Sequence, residues 1–182
     1  MDLTETLIDS EPVFDGSFLN ISHDRVRLPD GGEGRRIVVR HPGAACVLAV
    51  TDDNRAVLVR QWRHPAGGAL LELPAGKLDA GEDPAQCALR ELAEETPYTA
   101  GRVSLIAVFY TAPGFCDEKM YLYRAHGVRG DSGLSPDADE FVETVLLDRK
   151  QVRAALSDGR IQDAKTIIGL QNWLLENGGE RT

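Results

Sequence analysis

A chain of 182 residues, 42% hydrophobic and 27% charged, is long enough to bury one real core and too short for two ordinary domains. A formal charge of −9 and a pI near 4.9 argue against nucleic acid as a partner, because that affinity rests on Lys and Arg displacing counterions. The apolar run 44–50 is far shorter than a membrane span, and the opening MDLTETLIDSEPVF lacks the basic and apolar regions of a signal peptide, so a cytoplasmic chain with no membrane partner is expected.

The first predicted elements are strands. SFLNISHDRVRL (17–28) and RRIVVRH (35–41) flank PDGGEG, whose Pro, Asp and Gly supply turn geometry, so a hairpin is expected. AACVLAV (44–50) and RAVLVRQW (55–62) bracket the polar TDDN and predict a second strand pair, with ALLELPAG (69–76) as a further strand. A helix starts at Asp83, where Asp-Pro-Ala-Gln provides an N-cap, a proline at the first helical position and a capping-box glutamine. Ala85, Ala88, Leu89 and Leu92 form its expected inward stripe.

Beyond it, strands are predicted near 101–110, 119–125 and 140–147, with TAPGFCDE between the first two and an acidic Gly/Ser/Pro stretch at 130–139. Helices at 148–157 and 163–177 finish the chain, the second stopped by Asn177-Gly178-Gly179. Cys46, Cys87 and Cys116 are widely spaced and odd in number, so reduced thiols are expected rather than disulfides or zinc. His23, His41, His64 and His126 show no paired ligand spacing.

The stretch RELAEETPY (90–98) crowds Glu91, Glu94 and Glu95 onto one helix face, since 3.6 residues per turn puts Glu94 about −60° and Glu95 about +40° from Glu91. Like charges at this spacing cost about 0.2–0.5 kcal/mol per pair. Two explanations stand: a solvated acidic face eased by Arg90, or carboxylates gathered for a divalent cation. Pro97 cannot take the left-handed conformation of a helix-ending glycine, so the helix must stop at or before Thr96 by another route.

The frame around this cluster is Gly76, five residues, Glu82, seven residues, then Arg90-Glu91-Leu92-x-Glu94-Glu95. It resembles the box of the Nudix family, metal-dependent hydrolases of nucleoside diphosphates linked to another moiety, with Pro97 where that family has glycine. QWRHPAGGALLELPAGKLDAGE, the TAPGFCDE loop and the tail IQDAKTIIGLQNW are similar to the ADP-ribose pyrophosphatase branch. The resemblance implies a Nudix α/β/α sandwich with a mixed sheet (43–182), preceded by an N-terminal antiparallel β element (1–42) that pairs two chains as a homodimer.

It also implies site residues. Mg²⁺, with Mn²⁺ as substitute, would sit on the Ala75 carbonyl and the Glu91 and Glu95 carboxylates, with Glu94 in support; Glu82 would orient Arg90 or join a metal through water. Arg90 is either catalytic or a plain salt bridge. The general base is assigned to Glu140 of SPDADEFVE, with Asp137 and Asp139 close behind and Glu143 also in the loop. Arg36, Arg63, Lys77, Ala112, Pro113, Gly114 and Glu118 are the implied substrate contacts; for Arg36 a solvated hairpin charge is the alternative. Cys116 is better read as a packing residue than a nucleophile, and Trp62 and Trp173 as core before adenine stackers.

The expected reaction is hydrolysis of ADP-ribose to AMP and ribose 5-phosphate. Its rivals are hydrolysis of another nucleoside diphosphate sugar, such as ADP-glucose or GDP-mannose, and a Nudix-like ligand-binding regulator without turnover.

Overall fold

The structure, a computed structural model, describes residues 1–134 and 141–176. Contacts divide it into two compact units: Met1–Gly43 with Phe109–Lys119, and Ala44–Val108 with the described residues from Met120 on.

In the first unit, β1 (Thr6–Asp15), β2 (Asn20–Arg27) and β3 (Glu33–Arg40) form an antiparallel sheet in that order. The expected hairpin is β2–β3, paired from Asn20↔Arg40 to Arg27↔Glu33. Its turn closes where the Leu28 amide donates to the Gly32 carbonyl (2.8 Å) and the Asp30 carboxylate accepts the Gly32 amide (2.9 Å). Strand β1 was not anticipated from TLIDSEPVFD: it is exposed on both faces along most of its length, so it carries no apolar alternation. Pro12 is tolerated because β1 is an edge strand, with register shifts between Leu7 and Asp9 and between Pro12 and Phe14. The 111–118 loop is pinned to β3, the Val39 amide donating to Phe115 (2.7 Å) and the Asp117 amide to Val39 (3.1 Å).

Two further sheets belong to the second unit in all but Phe109, Tyr110 and Lys119. One has the order β7 (Ala75–Lys77), β4 (Ala44–Leu48), β9 (Lys119–Arg129), β8 (Thr99–Tyr110), with β4 antiparallel to β7 and parallel to β9. The other runs β10 (Val142–Asp148), β5 (Arg55–Arg63), β6 (Gly68–Glu72), all antiparallel. With helices α1 (Pro84–Glu95), α2 (Arg149–Ser157) and α3 (Ala164–Leu175) packed on these strands, the α/β/α architecture with a mixed sheet is as expected. No described helix is long and apolar enough to cross a membrane.

Two strand assignments need correction. β4 and β5 do not pair as a hairpin; they lie in different sheets and meet at the TDDN turn through the isolated Val50↔Ala56 bridge. β4 is buried at every residue, and a strand buried on both faces takes an interior place beside a parallel neighbour. The expected 69–76 strand is in fact two strands, because Pro74 has no amide to continue a ladder. Before it β6 pairs with β5, and after it β7 pairs with β4.

Asp83 caps α1 by accepting the amides of Ala85 (2.9 Å) and Gln86 (3.3 Å). The predicted stripe is shifted: Ala88 and Leu92 are fully buried in the core with Val47, Val57 and Cys87, whereas Ala85 and Leu89 are only half-buried. The buried line continues instead through Glu91 and Glu95. A complete capping box forms at α2, where Asp148 accepts the Gln151 amide (2.8 Å) and Gln151 accepts that of Asp148 (2.9 Å). On α3, a Cβ at Gly169 would stand 2.5 Å from Leu73 Cδ1; glycine is what lets this helix seat on Leu73. The expected stop at Asn177-Gly178-Gly179 lies outside the described residues.

Candidate active site

The acidic residues of α1 do not form a solvated face. Glu91 and Glu95 are 7% and 4% exposed, in line with Ala88 and Leu92 at i, i+3, i+4 and i+7, the spacing of a core stripe. Their surroundings come from β7. The Ala75 amide donates to Glu95 Oε2 (2.9 Å), and the Glu91 carboxylate leans so closely on Gly76 that a Cβ there would stand 1.8 Å from Oε1. The box glycine is therefore a space requirement: any side chain at position 76 would evict the Glu91 carboxylate. Lys77, on the same strand, has an exposed side chain.

Arg90 is the hub of the cluster. Its Nε and Nη2 donate to the two oxygens of Glu82 (2.9 and 3.0 Å), and Nη1 donates to Glu91 (2.7 Å) and Glu94 (2.9 Å). The Arg90 guanidinium holds the Glu82 carboxyl at about 2, well below its usual range. These acids, Glu82 first, raise the pKa of Arg90 further still. As they stand, no three or more His, Cys, Asp or Glu side chains among the described residues are arranged to hold a metal ion; Arg90 gathers Glu82, Glu91 and Glu94, while Glu95 faces the Ala75 amide.

The end of α1 shows how Pro97 is accommodated. The helix stops at Glu95, and Thr96 is extended (φ −139°, ψ 161°). The buried Thr96 hydroxyl donates back to the Leu92 carbonyl and accepts the Tyr98 amide (3.1 Å). The Ser132 hydroxyl donates to the Ala93 carbonyl, and its amide to Pro97 (3.2 Å). Two of the last helical carbonyls thus find side-chain hydroxyls in place of a glycine turn.

Arg63, at the end of β5, is not a loose surface charge. Its Nε and Nη2 donate to Glu72 Oε1 (2.7 Å) and Oε2 (2.9 Å), and Glu72 also accepts from Lys165 Nζ (2.5 Å). Burial pushes the Glu72 carboxyl up, but Arg63 and Lys165 outweigh it and hold it at about 2. Glu72 and Lys165 carry no role in the sequence reading, although each is a lone charge inside an apolar stretch, ALLELPAG and AKTIIGL.

The remaining expected substrate residues belong to the first unit. Arg36, Pro113 and Gly114 line a cavity of about 390 Å³ with Ile37, Tyr110 and Phe115. Arg36 is paired there with Glu5, its Nε at 3.0 Å. Ala112 turns the loop by accepting the amides of Phe115 (3.1 Å) and Cys116 (2.9 Å). Glu118 is held by the Thr111 hydroxyl and lies 3.6 Å from His41 Nδ1. Asp117, missed in the sequence, ties Arg40 (3.0 Å) and the His41 amide (2.8 Å). The expected base Glu140, with Asp137 and Asp139, lies outside the described residues, and Glu143 is an exposed partner of Arg60 on β10.

All three cysteines are free thiols, and burial pushes Cys46 and Cys87 up to about 12, which keeps them protonated. Trp173 is core, beneath the Arg149 guanidinium at 4.7 Å. Trp62 is not: it is 61% exposed on β5, because it alternates with the buried Gln61.

A family model of the NUDIX domain matches residues 39–168, and one described as the nucleoside diphosphate sugar hydrolase N-terminal domain matches residues 5–39. The methanol dehydrogenase activator of Bacillus methanolicus is 41% identical over 168 residues, covering 92% of this chain and 91% of that protein. The ADP-ribose pyrophosphatase of Bacillus subtilis (strain 168) is 39% identical over 170 residues, covering 93% and 92%. A crystal structure of an ADP compounds hydrolase has the same fold, with a TM-score of 0.81 at 22% identity and 98% of both chains covered.

Proposed function

We propose that this chain, which belongs to the NUDIX family, hydrolyses the diphosphate of ADP-ribose to AMP and ribose 5-phosphate. The reading is carried by the two buried carboxylates, Glu91 and Glu95, set against Gly76 and Ala75 of β7. Carboxylates brought to one place beside a backbone carbonyl are hard oxygen ligands of the kind a divalent cation takes. Identity of 39% across most of both chains to a protein called an ADP-ribose pyrophosphatase supports the choice of substrate.

The donor set fits Mg²⁺, with Mn²⁺ as substitute, because it offers hard oxygens beside a glycine that leaves them room. Glu91, Glu95 and the Ala75 carbonyl would hold the ion, with Glu94 in support. When bound, the metal neutralises the diphosphate and lowers the pKa of an attacking water. The protein's own contributions are then positional and protolytic. Arg90 anchors Glu82, Glu91 and Glu94 so that the carboxylates keep their places when the substrate's negative charge arrives. Arg63 and Lys77 contact the diphosphate, arginine through a planar fork suited to paired oxygens. Arg36, the backbone of Ala112, Pro113 and Gly114, and Glu118 serve the adenosine and terminal ribose. Glu140 takes the proton of the attacking water, with Asp137 and Asp139 next in line.

We assign dimerisation to residues 1–42 and hydrolysis to 43–182, the enzyme acting as a cytoplasmic homodimer. The free thiols suit that compartment.

The test is a substrate panel of ADP-ribose, ADP-glucose and GDP-mannose, each with Mg²⁺ and with chelator, products identified by chromatography. ADP-ribose is expected to give the highest kcat/KM, yielding AMP and ribose 5-phosphate only with metal. A higher value on either sugar nucleotide changes the substrate. Absence of product from all three with Mg²⁺ overturns the hydrolase reading in favour of a ligand-binding regulator.

A further inference from the structure

The chain keeps a buried ionic network beside its candidate site, and the proposed chemistry gives most of it no task. Glu72, at the end of β6, is 2% exposed, and Lys165, in the first turn of α3, is 8% exposed. Lys165 bonds Glu72 and also Asp163 (3.1 Å), the residue that caps α3 by accepting the Thr166 amide (3.0 Å). Thr166 donates its hydroxyl to Asp163 and accepts the Leu73 amide (2.8 Å). The start of α3 therefore grips both the end of β6 and the residue after it.

Stability alone does not explain such a network, since apolar residues of similar volume often stabilise an interior as well or better. What distinguishes it is its outlet. Arg63 is 40% exposed in its side chain, and Glu72 takes its Nε and Nη2 in a two-pronged contact. The remaining terminal nitrogen, Nη1, has no hydrogen-bond partner among the described residues. Arg63 is also close enough to feel the charge of Glu95, one of the two carboxylates assigned to the metal.

We propose that Glu72 and Lys165 are positioning residues for Arg63: Glu72 locks one edge of the guanidinium, leaving the Nη1 edge for an anionic oxygen of the substrate, and Lys165 offsets the charge of Glu72. Without Lys165, Glu72 would neutralise the arginine it orients. With it, Glu72 shares its charge between two cations, and Arg63 keeps more of its own for the diphosphate. This assignment rests on Arg63 being a diphosphate contact.

The test measures the Kd of ADP-ribose by calorimetry in chelator, where no turnover is expected, and KM and kcat with Mg²⁺. Arg63→Ala is expected to raise Kd and KM by about tenfold to a hundredfold, the loss of a charge-assisted hydrogen bond, with kcat less affected. Lys165→Met should raise Kd by about tenfold, Lys165→Arg should recover most of it, and Lys165→Met should add nothing in the Arg63→Ala background. Multiplying effects in the double variant, or a wild-type Kd in Lys165→Met, overturns the proposal. If Lys165→Met does not fold, the isosteric Glu72→Gln carries the same expectation, and a wild-type Kd in it likewise overturns the proposal. A wild type that binds ADP-ribose without hydrolysing it with Mg²⁺ overturns the hydrolase reading and leaves the Kd comparison intact. A Kd unmoved by Arg63→Ala overturns the positioning role while hydrolysis stands.

Discussion

Two acid–arginine pairs, one in each unit, show how burial decides what an ion pair does. In the second unit Arg63 meets both oxygens of Glu72, whose side chain is 3% exposed, and Lys165 closes the contact from behind. In the first, Arg25 puts Nε and Nη2 onto one oxygen of Asp9, with side chains 47% and 57% exposed. Both acids have lowered pKa values for the same immediate cause, an arginine's hydrogen bonds, although at Glu72 the larger influence is burial pushing the other way. In water, screening and side-chain freedom cancel most of the gain. Inside the protein, breaking the pair strands an uncompensated charge. The buried pair therefore fixes a geometry, whereas the exposed pair decorates a register that backbone ladders already hold.

The comparison predicts that changes at buried acids of the candidate site dominate, and Glu95→Gln should have the largest effect. The amide keeps an oxygen to accept the Ala75 amide (2.9 Å in the parent), so the protein should stay folded. Turnover should fall by more than about 10²-fold, because even the outer partners of metal ligands cost 10–100-fold when lost. The rise in Tm that Mg²⁺ gives the parent by binding only its folded state should shrink with it. Near-parental turnover at saturating Mg²⁺ would show the buried carboxylate to be a bystander. Gly76→Ala is the next step down, because its Cβ would land 1.8 Å from Glu91 Oε1 and displace that carboxylate. Gly76 is absent from the positive-φ residues, so the backbone itself accepts alanine. A loss of about 10–100-fold in kcat with little change in Tm is expected; full activity would mean that the position of Glu91 does not matter.

The same contrast explains what could be read from the sequence. The β2–β3 hairpin, the Asp83 cap and the end of α1 before Pro97 are set by residues within a few positions of one another, so local chemistry reveals them. Partner choice is not local. β4 and β5 look like a hairpin because they adjoin TDDN, yet β4 pairs with β9, more than seventy residues along the chain. Helical spacing placed Glu91, Glu94 and Glu95 on one face, but it did not show that Glu91 and Glu95 continue the buried line of Ala88 and Leu92 while Glu94 stays half-exposed. Glu72 and Lys165 were visible singly as charges in apolar runs; a separation of 93 residues hid the fact that each answers the other. β1 gave no signal because an exposed edge strand has no face to bury.

Acid titration sharpens the comparison with a smaller effect. Glu72 sits at about 2 in the folded protein against an ordinary 4.5, so between those values the unfolded chain binds a proton that the folded chain does not. Its contribution is fully present above pH 4.5 and disappears as pH falls toward 2. The drop should be on the order of 3 kcal/mol, read from urea unfolding at successive pH values. Glu72→Gln should be less stable at neutral pH and flatter across this window. Parallel profiles for the two proteins would deny Glu72 its share of the acid sensitivity.

The smallest effect belongs to the exposed arm. Asp9 and Arg25 face each other across β1 and β2 as register partners, the arrangement in which opposite charges on a sheet do attract. Both side chains are about half exposed, however, and Arg25 has a second acid within reach, Glu33 at 3.3 Å. Removing the Asp9 charge therefore leaves Arg25 a partner and leaves no group stripped of water. Asp9→Asn should not measurably change Tm at physiological salt, and any difference that appears in low salt should fade as salt is added, because screening acts on exposed charges first. A salt-independent fall in Tm as large as that of Glu72→Gln would mean that the β1–β2 register depends on this pair, and that burial is not what separates the two units' ion pairs.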